Sequence, residues 1–443
     1  MTIQPTNIRQ TGTPAEQRFI DLYADVADRL PGASHPQVRA WREAGIDTFA
    51  TLGLPYRRVE EWKYTDLRVL MPEVYPLAGL TPQVMADVSL DLLLGEPLNG
   101  LDAYRAVFVN GLYRADLSNV DGARGLAFNS FRAGIAGESA QHVLAALSPQ
   151  PGDVVSALSA AFATDGVLIV AADGAKLDKP IHAICVTTAD APVAVALRNA
   201  VRVGKGAELT LIETHVSTVP SHLYATTNIV VDEGGHLRHL RINLGQRDKH
   251  LSTLIAELAA GAQYDPLQFT AGGGLVRAQG FIRFGGKGGR CHYTGAMMHR
   301  GSEHGDITLV VEHAAEGCES RELVKAVLDD RARGVFQAKV LVQRGAQQTD
   351  GKQMSNALLL SNEAEFDAKP ELEIYADDVT CGHGATAGQL DEDMMFYLRA
   401  RGIPEAQARA MLIVAFIGEA LDKIENESLR ETLVAEAEAW LGV

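Results

Sequence analysis

A chain of 443 residues, 47% apolar and 22% charged, is long enough to bury a sizeable core and too apolar for large-scale disorder. Its formal net charge of -16, without a dense Lys/Arg run, argues against nucleic acid as the main partner. The four cysteines (Cys185, Cys291, Cys318 and Cys381) form no C-x-x-C pair and suit free thiols in a reducing cytoplasm.

No apolar run approaches the roughly 20 residues of a membrane span. The opening MTIQPTNIRQTGTPAEQRF has neither the basic start nor the apolar run of a secretory leader. The expectation is a cytoplasmic protein that binds neither nucleic acid nor membrane.

In chain order, residues 1–150 read as a mostly helical region with a few strands. PAEQRFIDLYADVADRL sets Phe19, Leu22, Val26 and Leu30 at helical spacing, with Pro14 suited to the first turn. PQVRAWREAGIDTFATLGLP repeats the pattern and is ended by Gly53 and Pro55. YRAVFVNGLYRADLS reads as a hairpin around Asn110-Gly111, a favoured two-residue turn.

Residues 151–385 change texture, becoming short β-prone runs such as AELTLIETHV, TTNIVVDEGG and GVFQAKVLVQRGA, broken by glycine turns. Small residues recur ahead of these runs at 207, 235, 262, 289, 317 and 346, in steps of 28, 27, 27, 28 and 29. A unit that short cannot bury its own apolar face, so stacked coils, a β-helix, are the expected architecture. An ordinary sandwich with evenly spaced turns is the alternative. Residues 386–443 read as helical. Gly402 and Pro404 separate two helices, and Leu412, Ile413, Phe416, Ile417, Ala420, Leu421 and Ile424 form a broad apolar stripe for packing, with any surplus left to dock a partner.

The chemistry-bearing stretch is IYADDVTCGHGAT, where Cys381 and His383 lie two apart and so share a strand face. Alternation carried through Asp377-Asp378 puts Leu372, Ile374 and Ala376 inside, with Glu373, Tyr375, Asp377, Val379, Cys381 and His383 outside. Nucleophile and base, half of a shared metal site, and a structural turn are all open for this pair. His292, His299, His304 and His313 lack H-E-x-x-H spacing and read as loop or coil-surface histidines. GGKGGR and AGGG read as turns rather than phosphate loops, and QQTDGKQMSN as stacked polar turns without chemistry.

The string ADDVTCGHGATAGQLDEDMMFYLRARGI closely resembles the C-terminal signature of the SUF iron–sulfur assembly scaffold family (SufB/SufD). RRVEEWKYTDL, SRELVKAVLDDRARGVFQAKVLV and AQQTDGKQMSNALLLS agree in the same order along the chain. The CGHGAT form, and the lack of a cysteine before Cys185, resemble the SufD branch rather than the SufB branch.

The resemblance implies a right-handed parallel β-helix core with flanking helical regions, and a non-catalytic scaffold. It further implies pairing with SufB through the β-helices and docking of the ATPase SufC on the C-terminal helices. It makes His383, with Cys381 as an auxiliary thiol, an interfacial ligand of a transient iron–sulfur cluster completed by the partner subunit. ATP would act only through SufC, and reduced flavin accompanies some complexes of the family. A homodimer of the isolated chain is compatible with this reading. The rivals are a purely structural subunit with every cluster ligand on SufB, and a free-standing carbohydrate-active β-helix enzyme.

Overall fold

The computed structural model describes residues 12–80, 88–137, 140–245 and 247–442, and the leader reading over residues 1–11 lies outside them. The first helix, Pro14–Val26, starts where expected. The Thr13 hydroxyl accepts from the Glu16 amide at 3.2 Å and the Glu16 carboxylate accepts from the Thr13 amide at 2.5 Å. Pro36–Leu52 ends at Gly53, whose φ of 66° lies in the left-handed region. A third helix, Val154–Phe162, is wholly buried between Pro36–Leu52 and the sheet beyond it. Phe19, Phe49, Phe162 and Tyr224 meet edge to face or tilted, with centroids 5.1 to 6.4 Å apart, and lock this layer to the strands.

The rest of the fold is a two-walled parallel β-solenoid. From Val193–Val203 onward the strands alternate between a ten-stranded and a nine-stranded sheet, each pairing in parallel with the strand two ahead of it. Tyr104–Val109 already belongs to the ten-stranded wall through Ile181–Thr187, and it turns back at Asn110-Gly111 into Leu112–Tyr113 as the expected hairpin. Both turn residues have positive φ, 50° and 74°, as the two-residue turn requires.

The repeat in the sequence is the coil itself. Gly206, Gly234, Gly261, Gly288 and Gly317 take φ values of 62° to 69° at successive corners. The corner amides are joined to one another: Gly234 donates to the Ala260 carbonyl, Gly261 to Lys287 and Gly288 to Glu316, at 2.8 to 3.0 Å. The sixth corner differs from expectation. Gln348 rather than Gly345 is left-handed, φ 60°, and its amide donates to the Asp378 carbonyl. The coil is longer here, with Glu319 in register with Asp350, and this moves the sharp bend three residues on.

Inside the coil, residues of equal parity stack in columns such as Leu209, Leu237, Tyr264 and Cys291. The outer face of the ten-stranded wall is covered by Glu405–Leu421 and Glu427–Leu441. There Ile413, Ile417, Leu421 and Leu433 pack on Ile212, Ile242, Phe269 and Met298. Most of the predicted apolar stripe is used in this way. The preceding helix, Glu392–Ala400, buries no residue and leaves Met394, Phe396 and Tyr397 exposed. No helix among the described residues is long and apolar enough to cross a membrane.

Candidate functional site

The solenoid ends in a coil made of Glu365–Ile374 and Val379–Gly388, each the outermost strand of its sheet. Each has a parallel neighbour on one side only, Arg333–Val342 and Thr349–Leu359 respectively. The columns that are sealed in earlier coils therefore open at this end. Gln353 is 2% exposed, whereas His383, its register partner one coil further, is exposed.

The pair sits at this mouth, but not on the outer face that alternation predicts. Val379 and Cys381 pack against the interior cluster, as do Leu372 and Ala376. The corner at residues 375–378 passes the chain from one wall to the other. Because inward means opposite directions on facing walls, the corner resets the parity.

Cys381 tops the column Cys291, Ser320, Gly351, and His383 tops the column Tyr293, Glu322, Gln353. A methyl added at Gly351 would meet the Cys381 sulfur at 3.6 Å, the Ser320 hydroxyl at 3.5 Å and Val340 at 3.4 Å, all within the lumen. Both candidate residues thus look inward and up, at the rim of an open tube.

The electrostatics disfavour one of the three readings. Burial pushes the Cys381 thiol up, the Gly351 backbone pulls it partly back, and Asp350 and Glu322 add smaller upward pushes. An activated nucleophile needs the reverse. No hydrogen bond joins Cys381 to His383 among the described residues. Nor do three His, Cys, Asp or Glu side chains there converge as a closed metal site. What the mouth offers is a sulfur and an imidazole nitrogen, donors suited to iron or zinc, in an incomplete set.

Three of the other histidines depart from the surface reading. His299, His304 and His313 are buried, and only His292, paired with Glu319 at 2.8 Å, is partly exposed. His304 lies 2.9 Å from the Thr65 hydroxyl, and His313 lies 3.1 Å from Ser320 and against the Phe284 ring. For His304 and His313 a neighbouring hydroxyl satisfies one ring nitrogen, whereas neither ring nitrogen of His299 has a hydrogen-bond partner among the described residues. AGGG and GGKGGR do form turns, with positive φ at Gly272, Gly273 and Gly288.

QQTDGKQMSN is no set of polar turns. It lies mainly on the strand Thr349–Leu359 and sends Gln353 and Ser355 into the lumen. Glu322, one coil deeper, is also inside, at 2% exposure, and burial pushes its carboxyl up to about 8 despite Ser320 and Arg321. Its signal was parity: Ser320 and Glu322 are two apart, in register with the buried Cys291 and Tyr293.

Comparison with known proteins identifies the family of the chain. Residues 13–183 match the SufBD protein N-terminal region, and residues 185–416 match the SufBD core domain of SUF system FeS cluster assembly. The chain is 32% identical to the iron–sulfur cluster assembly protein SufD of Escherichia coli, over 86% of this chain and 88% of that one. It is 31% identical to a SufBD family protein of Synechocystis, over 88% of each. A chloroplastic protein of Arabidopsis thaliana, ABCI7, is 26% identical over 97% of this chain and 92% of its own. A stacked-strand tube of this build, matched along nearly its whole length, makes the chain a member of the SufBD family of iron–sulfur cluster assembly proteins and a homologue of SufD.

Proposed function

We propose that the chain is a non-catalytic scaffold subunit whose open final coil pairs with a SufB-type subunit, so that a nascent iron–sulfur cluster forms between them. The observation that carries this reading is the mouth. Two edge strands with unpaired backbone groups surround a thiol and an imidazole that form only part of a coordination sphere. An edge of that kind is ready to pair with another chain, and an incomplete ligand set needs a second contributor. His383 is the principal ligand in this proposal and Cys381 the auxiliary one, since the raised thiol must lose its proton to bind iron.

The remainder of the chain is assigned accordingly. In this proposal the region 1–150 buttresses the tube and lends it the strands Tyr104–Val109 and Leu126–Ser130, the region 151–385 supplies the rest of the coil, and the region 386–443 carries the ATPase-docking surface. Met394, Phe396 and Tyr397 support the last assignment, being large apolar side chains left in solvent on a helix that buries none of its own. Hydrolysis of ATP belongs to the partner ATPase, any reduced flavin to the complex as a whole, and the assembly works in the cytoplasm.

Co-expression with the SufB-type and SufC-type subunits tests the reading. The expected result is a stable complex that gains iron and sulfide under anaerobic reconstitution. Recovery of this chain free of both partners would oppose it.

A further inference from the structure

Below the rim, the lumen wall carries polar groups that the protein itself does not answer. Among the described residues, neither carboxylate oxygen of Glu322 has a hydrogen-bond partner within bonding distance, and neither does either amide atom of Gln353 or the hydroxyl of Ser355. All three residues are at most 2% exposed. Glu322 and Gln353 are register partners on adjacent coils, roughly 4.8 Å apart along the tube axis. Ser355 lies two residues on, with its side chain on the same face as Gln353.

The contrast with Glu213 is informative. That residue is equally buried deeper in the tube, but His239 stands 3.1 Å from it and His215 3.5 Å. The Ser320 hydroxyl, which eases the ionisation of Glu322 a little, stands 3.1 Å from His313. Glu322 acts electrostatically on both interior thiols, Cys291 below it and Cys381 above. Its carboxylate is therefore on the path between the mouth and the deeper lumen. The facing wall at this level, Phe336, Ala338 and Val340, is apolar and supplies no countercharge.

We infer that the lumen beneath Cys381 and His383 is a binding site for a divalent cation, held by the Glu322 carboxylate with the Gln353 carboxamide oxygen and the Ser355 hydroxyl. Oxygen donors of this kind hold a divalent ion without the thiolate bonds that would trap it, and the sulfur and nitrogen donors stand at the exit. Binding displaces the carboxyl proton, which leaves through the open mouth: the protonated acid and the ion give the metal carboxylate and a proton. The physiological ion would be iron(II), staged below the site of cluster formation. That identity rests on the assembly reading, whereas the existence of the site does not.

Anaerobic titration of the full chain with cobalt(II), followed by equilibrium dialysis, metal analysis and absorption, tests the inference. The wild type is expected to bind about one equivalent. Glu322→Gln, nearly isosteric and uncharged, should weaken binding by about tenfold or more, while circular dichroism and Tm show an intact fold. Gln353→Leu should weaken it in the same direction. Glu316→Gln, on an outer corner, should bind as the wild type does. Absence of binding in the wild type, or equal binding by Glu322→Gln, would overturn the site. Iron and sulfide content of the assembled complex carrying His383→Ala tests the assembly reading separately, so the two can fail independently.

Discussion

Cys381 stands directly over Gly351, its sulfur 3.6 Å from the point that a Cβ on that glycine would occupy. The thiol is therefore backed by the tube interior and open only toward the end of the solenoid. Its position predicts its reactivity. Burial raises the thiols of Cys185, Cys291 and Cys318, and Cys291 and Cys318 are also closed off by packing. Alkylation of the native chain, mapped by mass spectrometry, should modify Cys381 first, yet more slowly at neutral pH than an unhindered thiol, because its own pKa is raised. If a SufB-type subunit covers the mouth as proposed, its addition should abolish this labelling.

The N-terminal region is tied to the tube by a buried pair. Arg277 and Asp306 form a fully buried ion pair. The guanidinium carbon lies 3.8 Å from the centroid of the Trp62 ring, and the same group donates to the Glu61 carbonyl at 2.8 Å. Asp306→Ala leaves Arg277 as an uncompensated buried charge and should lower stability by about 3–5 kcal/mol. Urea unfolding of the purified chain measures this, and a loss below about 1 kcal/mol would show that the strap around Trp62 is not held by this pair.

Acid should loosen the fold while ordinary exposed carboxylates are still ionised, although Glu322, held up at about 8, and Asp248, at about 6, pull the other way as they protonate. Burial depresses His182 and His222 to about 3, and His304 and His313 to about 4, so each folds in its neutral form. With the folded value below the unfolded one, the stabilising contribution is complete above about pH 6.5. It is lost as pH falls toward 4, because the unfolded chain takes up protons that the native chain refuses. At pH 5 each histidine should contribute a loss on the order of 2 kcal/mol. Tm recorded from pH 7.5 to 5 should fall steadily, and a flat profile would contradict the buried-neutral assignment.

Much of this was legible in the sequence, for physical reasons that also mark where legibility ends. The spacing of Gly206, Gly234, Gly261, Gly288 and Gly317 revealed the coil because each corner needs a left-handed residue. Where Gln348 takes that role the spacing rule misplaced the bend. Strand alternation is a local rule, and the corner after Ile374 resets it, so Cys381 and His383 were placed outside when they face the lumen. His299, His304 and His313, like Glu322, show the other limit. Residue type suggests a surface, but what covers the strand decides burial: register across coils puts His299, His313 and Glu322 in the lumen, while the N-terminal region, through Thr65, covers His304 on the outer wall.

The exposed helix Glu392–Ala400 gives a separable test of docking. Replacing Met394, Phe396 and Tyr397 together by serine removes no buried contact, so Tm should stay within about 1 kcal/mol equivalent of the wild type. Binding of the SufC-type ATPase, measured by pull-down or calorimetry, should be lost. Truncation of the whole tail is a poorer experiment, because it strips the cover from Ile212, Ile242 and Phe269.

The central claim is that the open end of the tube supplies part of a shared coordination sphere, and His383→Ala tests it most directly. The ring is exposed and makes no hydrogen bond or ion pair among the described residues, so the complex should still assemble. Under anaerobic reconstitution, the complex carrying this substitution is expected to hold markedly less iron and acid-labile sulfide than the wild type. Iron and sulfide contents equal to those of the wild type, in a complex of unchanged composition, would contradict the account.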